Sequence, residues 1–241
     1  MAKPHERVVD ARPQSPSARG SLAATMRRGL ERYAPTKGYD VGPIARQKYA
    51  QMVVQKAGLF PGDWTLDVET GTGILGVQVA RAFTRAKVVA TDSERASLDR
   101  ARENAVAEGA AERIQFVQCL PDALPFKDET FFFATVGLAL GRQEEPLDVL
   151  DEIHRATGYT GKVYAPALDL TRAKKKPRGT HPWVFDAETI AAMREMGFGK
   201  VQQLKVATLA DGAQLVLLTA KRFDAEGEDD DAPGDEGEDE A

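Results

Sequence analysis

The sequence predicts an α/β fold: a mostly parallel sheet with helices on both faces, closed by an antiparallel hairpin near the C-terminus. Three observations predict it. Short apolar runs alternate with helical segments from "WTLDV" (64–68) onward, the rhythm of β-α-β units. The run "TFFFATVGLAL" (130–140) is apolar almost throughout, as a strand buried on both faces must be. "VQQLKVATL" and "AQLVLLTAKR" are separated only by "ADG", a hairpin signature.

Each element has its own signal. "SLAATMRRGLERYA" (21–34) reads as a helix capped by Ser21. "DVGPIARQKYAQMVVQKAG" (40–58) reads as another, its apolar face formed by Ile44, Ala45, Tyr49, Met52 and Val53. Gly58 is a stop signal, and "FPGD" is a turn. Strands follow at "WTLDV", "KVVATD", "IQFVQC", "TFFFATVGLAL" and "GKVYAPAL". Helices are expected at 73–84, 94–108, 144–157 and 186–197. The organisation is then a basic flexible arm (1–20), a helical cover (21–58), a sheet domain (59–223) and an acidic tail (224–241).

Composition narrows the function classes. A chain of 241 residues, 42% hydrophobic, can bury one large core. No apolar run approaches the ~18–20 residues of a membrane span, and "MAKPHERVVDARPQSPSARG" has no apolar signal core. A cytoplasmic location is expected. One cysteine, Cys119, and three histidines, His5, His154 and His181, give no disulfide and no cysteine or histidine metal cluster. Eleven carboxylates and no Lys or Arg lie in 224–241, so the other residues carry a net +6. Such a tail cannot bury enough apolar surface to order itself; it can fold back over basic surface. "RAKKKPRG" (172–179) is the densest basic run. It suits an anionic substrate or nucleic acid, although no nucleic-acid module accompanies it.

The chemistry concentrates in "LDVETGTGILG". Ligands of such sheets sit beyond the carboxyl ends of the strands, where strand order reverses. Glycines let that first turn bend sharply, and the helix that follows presents unpaired N–H groups. Asp92 ends the second strand, 21 residues after Gly71; a carboxylate there can accept ribose hydroxyls. Gly71-Thr72-Gly73-Ile74-Leu75-Gly76 also matches the dinucleotide pattern G-x-G-x-x-G, so a dinucleotide-binding oxidoreductase is one reading.

"LDVETGTG", "ATD", "ALPFKDETF" and "LDEIHRATGYTGKV", in this order, resemble the class I S-adenosylmethionine-dependent methyltransferases, in the branch acting on quinone-type and other small molecules. The resemblance spans roughly 40–222 and implies a Rossmann-like methyltransferase sheet with S-adenosyl-L-methionine as cofactor. It implies that Asp67 orders the loop and that Gly71 and Gly73 let the backbone pass close to the cofactor. Asp92 would bind the ribose, Ser93 would lie beside adenine, and "VGLALG" would border methyl transfer. Glu69 stands at the family's first loop glycine, where its charge can repel or attract parts of the cofactor. Leu120 stands where an aspartate usually contacts adenine, and Asp122 is the nearest substitute. Phe132, Tyr159 and Thr160 are further departures. Tyr33, Tyr39 and His181 lie where acceptor contacts are expected, whereas His154 reads as a helix-surface residue. Methyl transfer needs chiefly proximity and orientation, and no residue is assigned as a base. These departures leave a catalytically inactive, methyltransferase-like binding protein as a further reading.

Overall fold

The computed structural model describes residues 32, 41–138, 140, 143, 145–169, 172–174 and 187–223. The basic arm, Tyr33, Tyr39, His181 and the acidic tail lie outside the described residues, as does most of the 21–34 helix and of the basic run.

Helix α1 (Pro43–Ala57) starts with proline in its first turn and stops at Gly58, whose left-handed backbone (φ 57°) ends it. Its buried face is Ala45, Arg46, Tyr49, Ala50, Val53 and Ala57. The expected face included Ile44, which is instead 65% exposed. Arg46 is buried in the first turn, where its aliphatic stem can pack like an apolar chain. The last carbonyls of α1 are capped from the sheet: Tyr164 Oη donates to Lys56 O at 2.9 Å and Lys162 Nζ to Ala57 O at 2.9 Å. Burial, aided by Lys221, depresses the Lys162 pKa.

The alternation then runs β1 (Trp64–Val68), α2 (Ile74–Ala82), β2 (Lys87–Asp92), α3 (Arg95–Ala107), β3 (Ile114–Gln118), β4 (Phe131–Val136), α4 (Pro146–Ala156), β5 (Thr157–Asp169), α5 (Ala187–Glu195), β6 (Phe198–Thr208) and β7 (Gln214–Arg222). The seven strands lie in the order β3-β2-β1-β4-β5-β7-β6. β1 to β5 pair in parallel; β7 is antiparallel to both neighbours. Leu66 at the centre of β1 pairs with Val89 on one side and Ala134 on the other. The apolar residues of this sheet divide between two cores. One gathers Val53, Leu75, Val79, Val88 and Phe133 beneath α1 and α2. The other gathers Leu66, Val136, Leu150, Ile153, Met193 and Phe198 beneath α4 and α5.

β4 is shorter than its apolar run suggested, ending at Val136. Gly137 N–H donates to Val68 O at 2.8 Å, the last bond of the β1–β4 ladder at the end of β1. "ADG" is indeed the hairpin apex, where Leu209 N–H donates to Ala213 O at 2.8 Å and Gly212 turns with φ 92°. His154, expected on the helix surface, is half-buried: its ring stands edge-on to Phe198 with centroids 4.9 Å apart. The antiparallel β7 inside the sheet departs from the 3-2-1-4-5-6 order of dinucleotide domains, which removes the structural basis for the oxidoreductase reading.

Candidate active site

Strand order reverses between β1 and β4, so the crevice lies beyond their carboxyl ends. The loop 69–73 sits there, braced from below by Asp67. That carboxylate is fully buried; Oδ2 accepts the Thr70 hydroxyl at 2.5 Å and Gly76 N–H at 2.9 Å, and Oδ1 accepts the Thr135 hydroxyl at 2.7 Å. Burial pushes its pKa above the ordinary carboxylate range, against the three hydrogen bonds. Asp67 therefore orders the loop from beneath. Thr135 and Asn104 were not singled out from sequence. Asn104 Nδ2, on α3, donates to Thr72 O at 2.9 Å. A lone threonine in the apolar "FFFATV" was the available signal for Thr135.

The two loop glycines serve different ends. At Gly71 (φ 56°) an added Cβ would meet nothing within 4 Å among the described residues, which leave open space there. At Gly73 (φ 84°) it would meet Ala101 Cβ at 2.9 Å and Cα at 3.2 Å. Gly73 thus lets α3 pack against the loop, a role the sequence did not reveal.

Asp92, at the end of β2, is 4% exposed. Its Oδ2 accepts Gly71 N–H at 2.9 Å and its Oδ1 accepts Glu94 N–H at 2.8 Å. It ties the loop to β2 and orders the entry to α3. Glu69 has a left-handed backbone (φ 50°), the conformation for which glycine is favoured. Its Oε1 accepts Ser93 N–H at 3.2 Å. The Glu69 side chain is therefore directed to the β2 side of the loop, where Asp92 and Ser93 lie, rather than toward β4.

Beyond β3, Leu120 is 59% exposed and Asp122 is exposed in the turn that follows. The segment is held from α4: Glu152 Oε2 accepts Leu124 N–H at 2.9 Å, and Arg155 donates to Leu124 O, Phe126 O and Asp128. The Arg155 hydrogen bond holds the Glu152 pKa down. Cys119 is half-buried, and burial, with Glu69 and Asp92 adding, raises its thiol pKa; it is not an activated nucleophile. Among the described residues no group of three His, Cys, Asp or Glu could hold a metal, and no helix is long and apolar enough to cross a membrane.

A glycine loop between strand and helix, an acid at the next strand end and a reversal of strand order place the candidate site at this edge of the sheet. Residues 65–161 match the family described as "Methyltransferase domain". A ubiquinone/menaquinone biosynthesis C-methyltransferase UbiE of Desulfotalea psychrophila is 33% identical over 129 residues, 54% of this chain and 50% of that one. A 2-phytyl-1,4-naphtoquinone methyltransferase of Nostoc sp. is 28% identical over 151 residues, 62% and 65% of the two chains. The chain thus spans half to about two thirds of the length of these curated relatives. Among solved structures, the 4+2 cyclase SpnF superposes with a TM-score of 0.65 at 18% identity, covering 79% of this chain and 86% of that one. A geranyl diphosphate methyltransferase in complex with SAM superposes with a TM-score of 0.61 at 16% identity, covering 88% and 93%. Over residues 65–161 the sheet domain is thus similar to methyltransferase domains, and its fold is that of Rossmann-like methyltransferases.

Proposed function

We propose that this chain transfers a methyl group from S-adenosylmethionine to a small, quinone-type acceptor. The observation that carries the reading is the pairing of Gly71, over which the described residues leave open space, with Asp92 at the adjoining strand end, its Oδ2 2.9 Å from Gly71 N. Backbone without a side chain beside an acceptor for ribose hydroxyls suits an adenosyl compound. The cofactor would supply an electrophilic methyl on a sulfonium. Asp67 keeps the loop shaped, Gly71 admits the ligand, and Asp92 accepts the ribose. Ser93 and Asp122 border the adenine end, and Tyr39 and His181 contribute to the acceptor side. The quinone class is supported by the UbiE and naphthoquinone relatives.

The test is calorimetric titration with S-adenosylmethionine and S-adenosylhomocysteine, followed by methylation assays on reduced naphthoquinones and benzoquinones that lack the ring methyl. Micromolar binding with methyl incorporation into the ring supports the reading. Binding without transfer to any quinol removes the acceptor class. Glu69, a side chain in a left-handed loop position, favours one second reading, a methyltransferase-like binding protein. Absence of binding to both adenosyl compounds supports that alternative.

A further inference from the structure

We propose that Glu69 is a second ribose acceptor, so that Glu69 and Asp92 together clamp the vicinal diol of the cofactor. This rests on the cofactor reading above. Three directions were open to a carboxylate at this loop position: toward β4, out to solvent, or toward β2. The side chain takes the third. Oε1 accepts Ser93 N–H at 3.2 Å, which brings the acid to the residue beside Asp92. The crevice at the reversal between β1 and β4 is left to the rest of the ligand.

The two acids are held by separate backbone donors. Asp92 is tied to Gly71 and Glu94, and Glu69 to Ser93. A carboxylate held by backbone N–H groups can also accept hydroxyls, because it has about four acceptor directions. Both acids are nearly buried, at 8% and 4% exposure, and both act on the Cys119 thiol, so their fields overlap at one strand end. Two like charges in such a place repel each other. A vicinal diol brings two O–H donors to two acceptors, and charge-assisted bonds of this kind are the strong ones. Gly71, which separates the acids in the chain and has open space over its Cα among the described residues, leaves room for the sugar edge.

The experiment compares the full-length protein with Glu69→Ala and Glu69→Gln by calorimetry. The ligands are S-adenosylhomocysteine and its 2′,3′-dideoxyribose analogue, and circular dichroism verifies folding. The natural protein should prefer the ribose compound. Glu69→Ala should weaken S-adenosylhomocysteine by about tenfold, the effect of one hydrogen bond to a charged acceptor. It should leave the dideoxy analogue within about twofold. Glu69→Gln, which preserves shape and an acceptor oxygen, should fall between. Tighter or unchanged binding of S-adenosylhomocysteine in Glu69→Ala would overturn the clamp and mark the side chain as an obstruction or a bystander, leaving the cofactor reading intact. An equal loss for both ligands would also overturn it, since Glu69 would then act on the loop rather than the hydroxyl. Absence of binding by all three proteins removes the cofactor reading, and the clamp with it.

Discussion

Replacing Asp67 by asparagine tests whether this carboxylate is kept for its shape or its charge. The side chain is fully buried and takes three hydrogen bonds, two on Oδ2 and one on Oδ1. An asparagine oxygen can stand at Oδ2 and keep the Thr70 and Gly76 donors. Its NH2 then faces Thr135, whose hydroxyl must accept and turn its own proton to Leu66 O, 3.5 Å away. That long contact is the main loss, about 1 kcal/mol. Removing a desolvated charge offsets it, so Asp67→Asn should lie within about 1 kcal/mol of the natural protein near neutrality. Asp67→Ala leaves the Gly76 N–H unsatisfied beside a new void and should cost about 3 kcal/mol. The pH dependence carries a sign. The folded pKa is raised above the unfolded value, chiefly by burial. The fold therefore binds the acid's proton more tightly than the unfolded chain does. Its contribution is fully present below the unfolded pKa, about 3.9, and is lost as pH rises through the higher folded value. Urea unfolding from about pH 4 to about pH 8, with the Asp67→Asn curve subtracted, should show the advantage of the natural protein shrinking as pH rises. An advantage that grows with pH would refute the reasoning, because the three hydrogen bonds would then outweigh the burial of the charge.

Other substitutions probe the frame around the site. Thr160 is exposed and β-branched with φ 59°, so Thr160→Gly should raise stability by about 1 kcal/mol in urea melts. Gly137→Ala would bring a Cβ to 2.2 Å from Glu69 O, a backbone atom. It should cost more than about 3 kcal/mol and weaken binding of S-adenosylhomocysteine, as read by urea midpoints and calorimetry. Tyr164→Phe deletes the donor to Lys56 O but retains the edge-on contact with Phe133, at 5.2 Å. A loss of about 1 kcal/mol is expected, with faster amide exchange in the last turns of α1.

Much of the fold was legible because parallel strands buried on both faces advertise themselves as apolar runs. The same property blurred their ends. "TFFFATVGLAL" continues past Val136 with no change in polarity; pairing ends with the Gly137 N–H to Val68 O bond, because β1 stops at Val68 and its chain turns left-handed at Glu69 (φ 50°). On α1 the period was right and the membership was not. Ile44 lies beside the buried stripe, and Arg46 lies within it. Hydrophobicity misassigns a long cationic side chain whose stem packs like an aliphatic one.

The site was legible to the level of positions and not of directions. Asp67, Gly71 and Asp92 stand out because a strand, a glycine turn and a second strand end place them at one edge in any sheet of this order. Gly73 looked like Gly71 in sequence. A Cβ at one would strike Ala101, and at the other would meet no described residue, a distinction set by where α3 packs. Glu69 shows the same limit most sharply. Its identity and its glycine-like position follow from "LDVETGTG", yet its effect on a ligand depends on where the carboxylate goes. Toward β4 it would meet the end of the crevice expected for the amino-acid part of the cofactor, where like charges repel. With its oxygen 3.2 Å from Ser93 N, it stands with Asp92, where hydroxyl donors are needed. A departure from a motif is thus not by itself a lesion: the bond made by the new side chain decides which part of the ligand it meets.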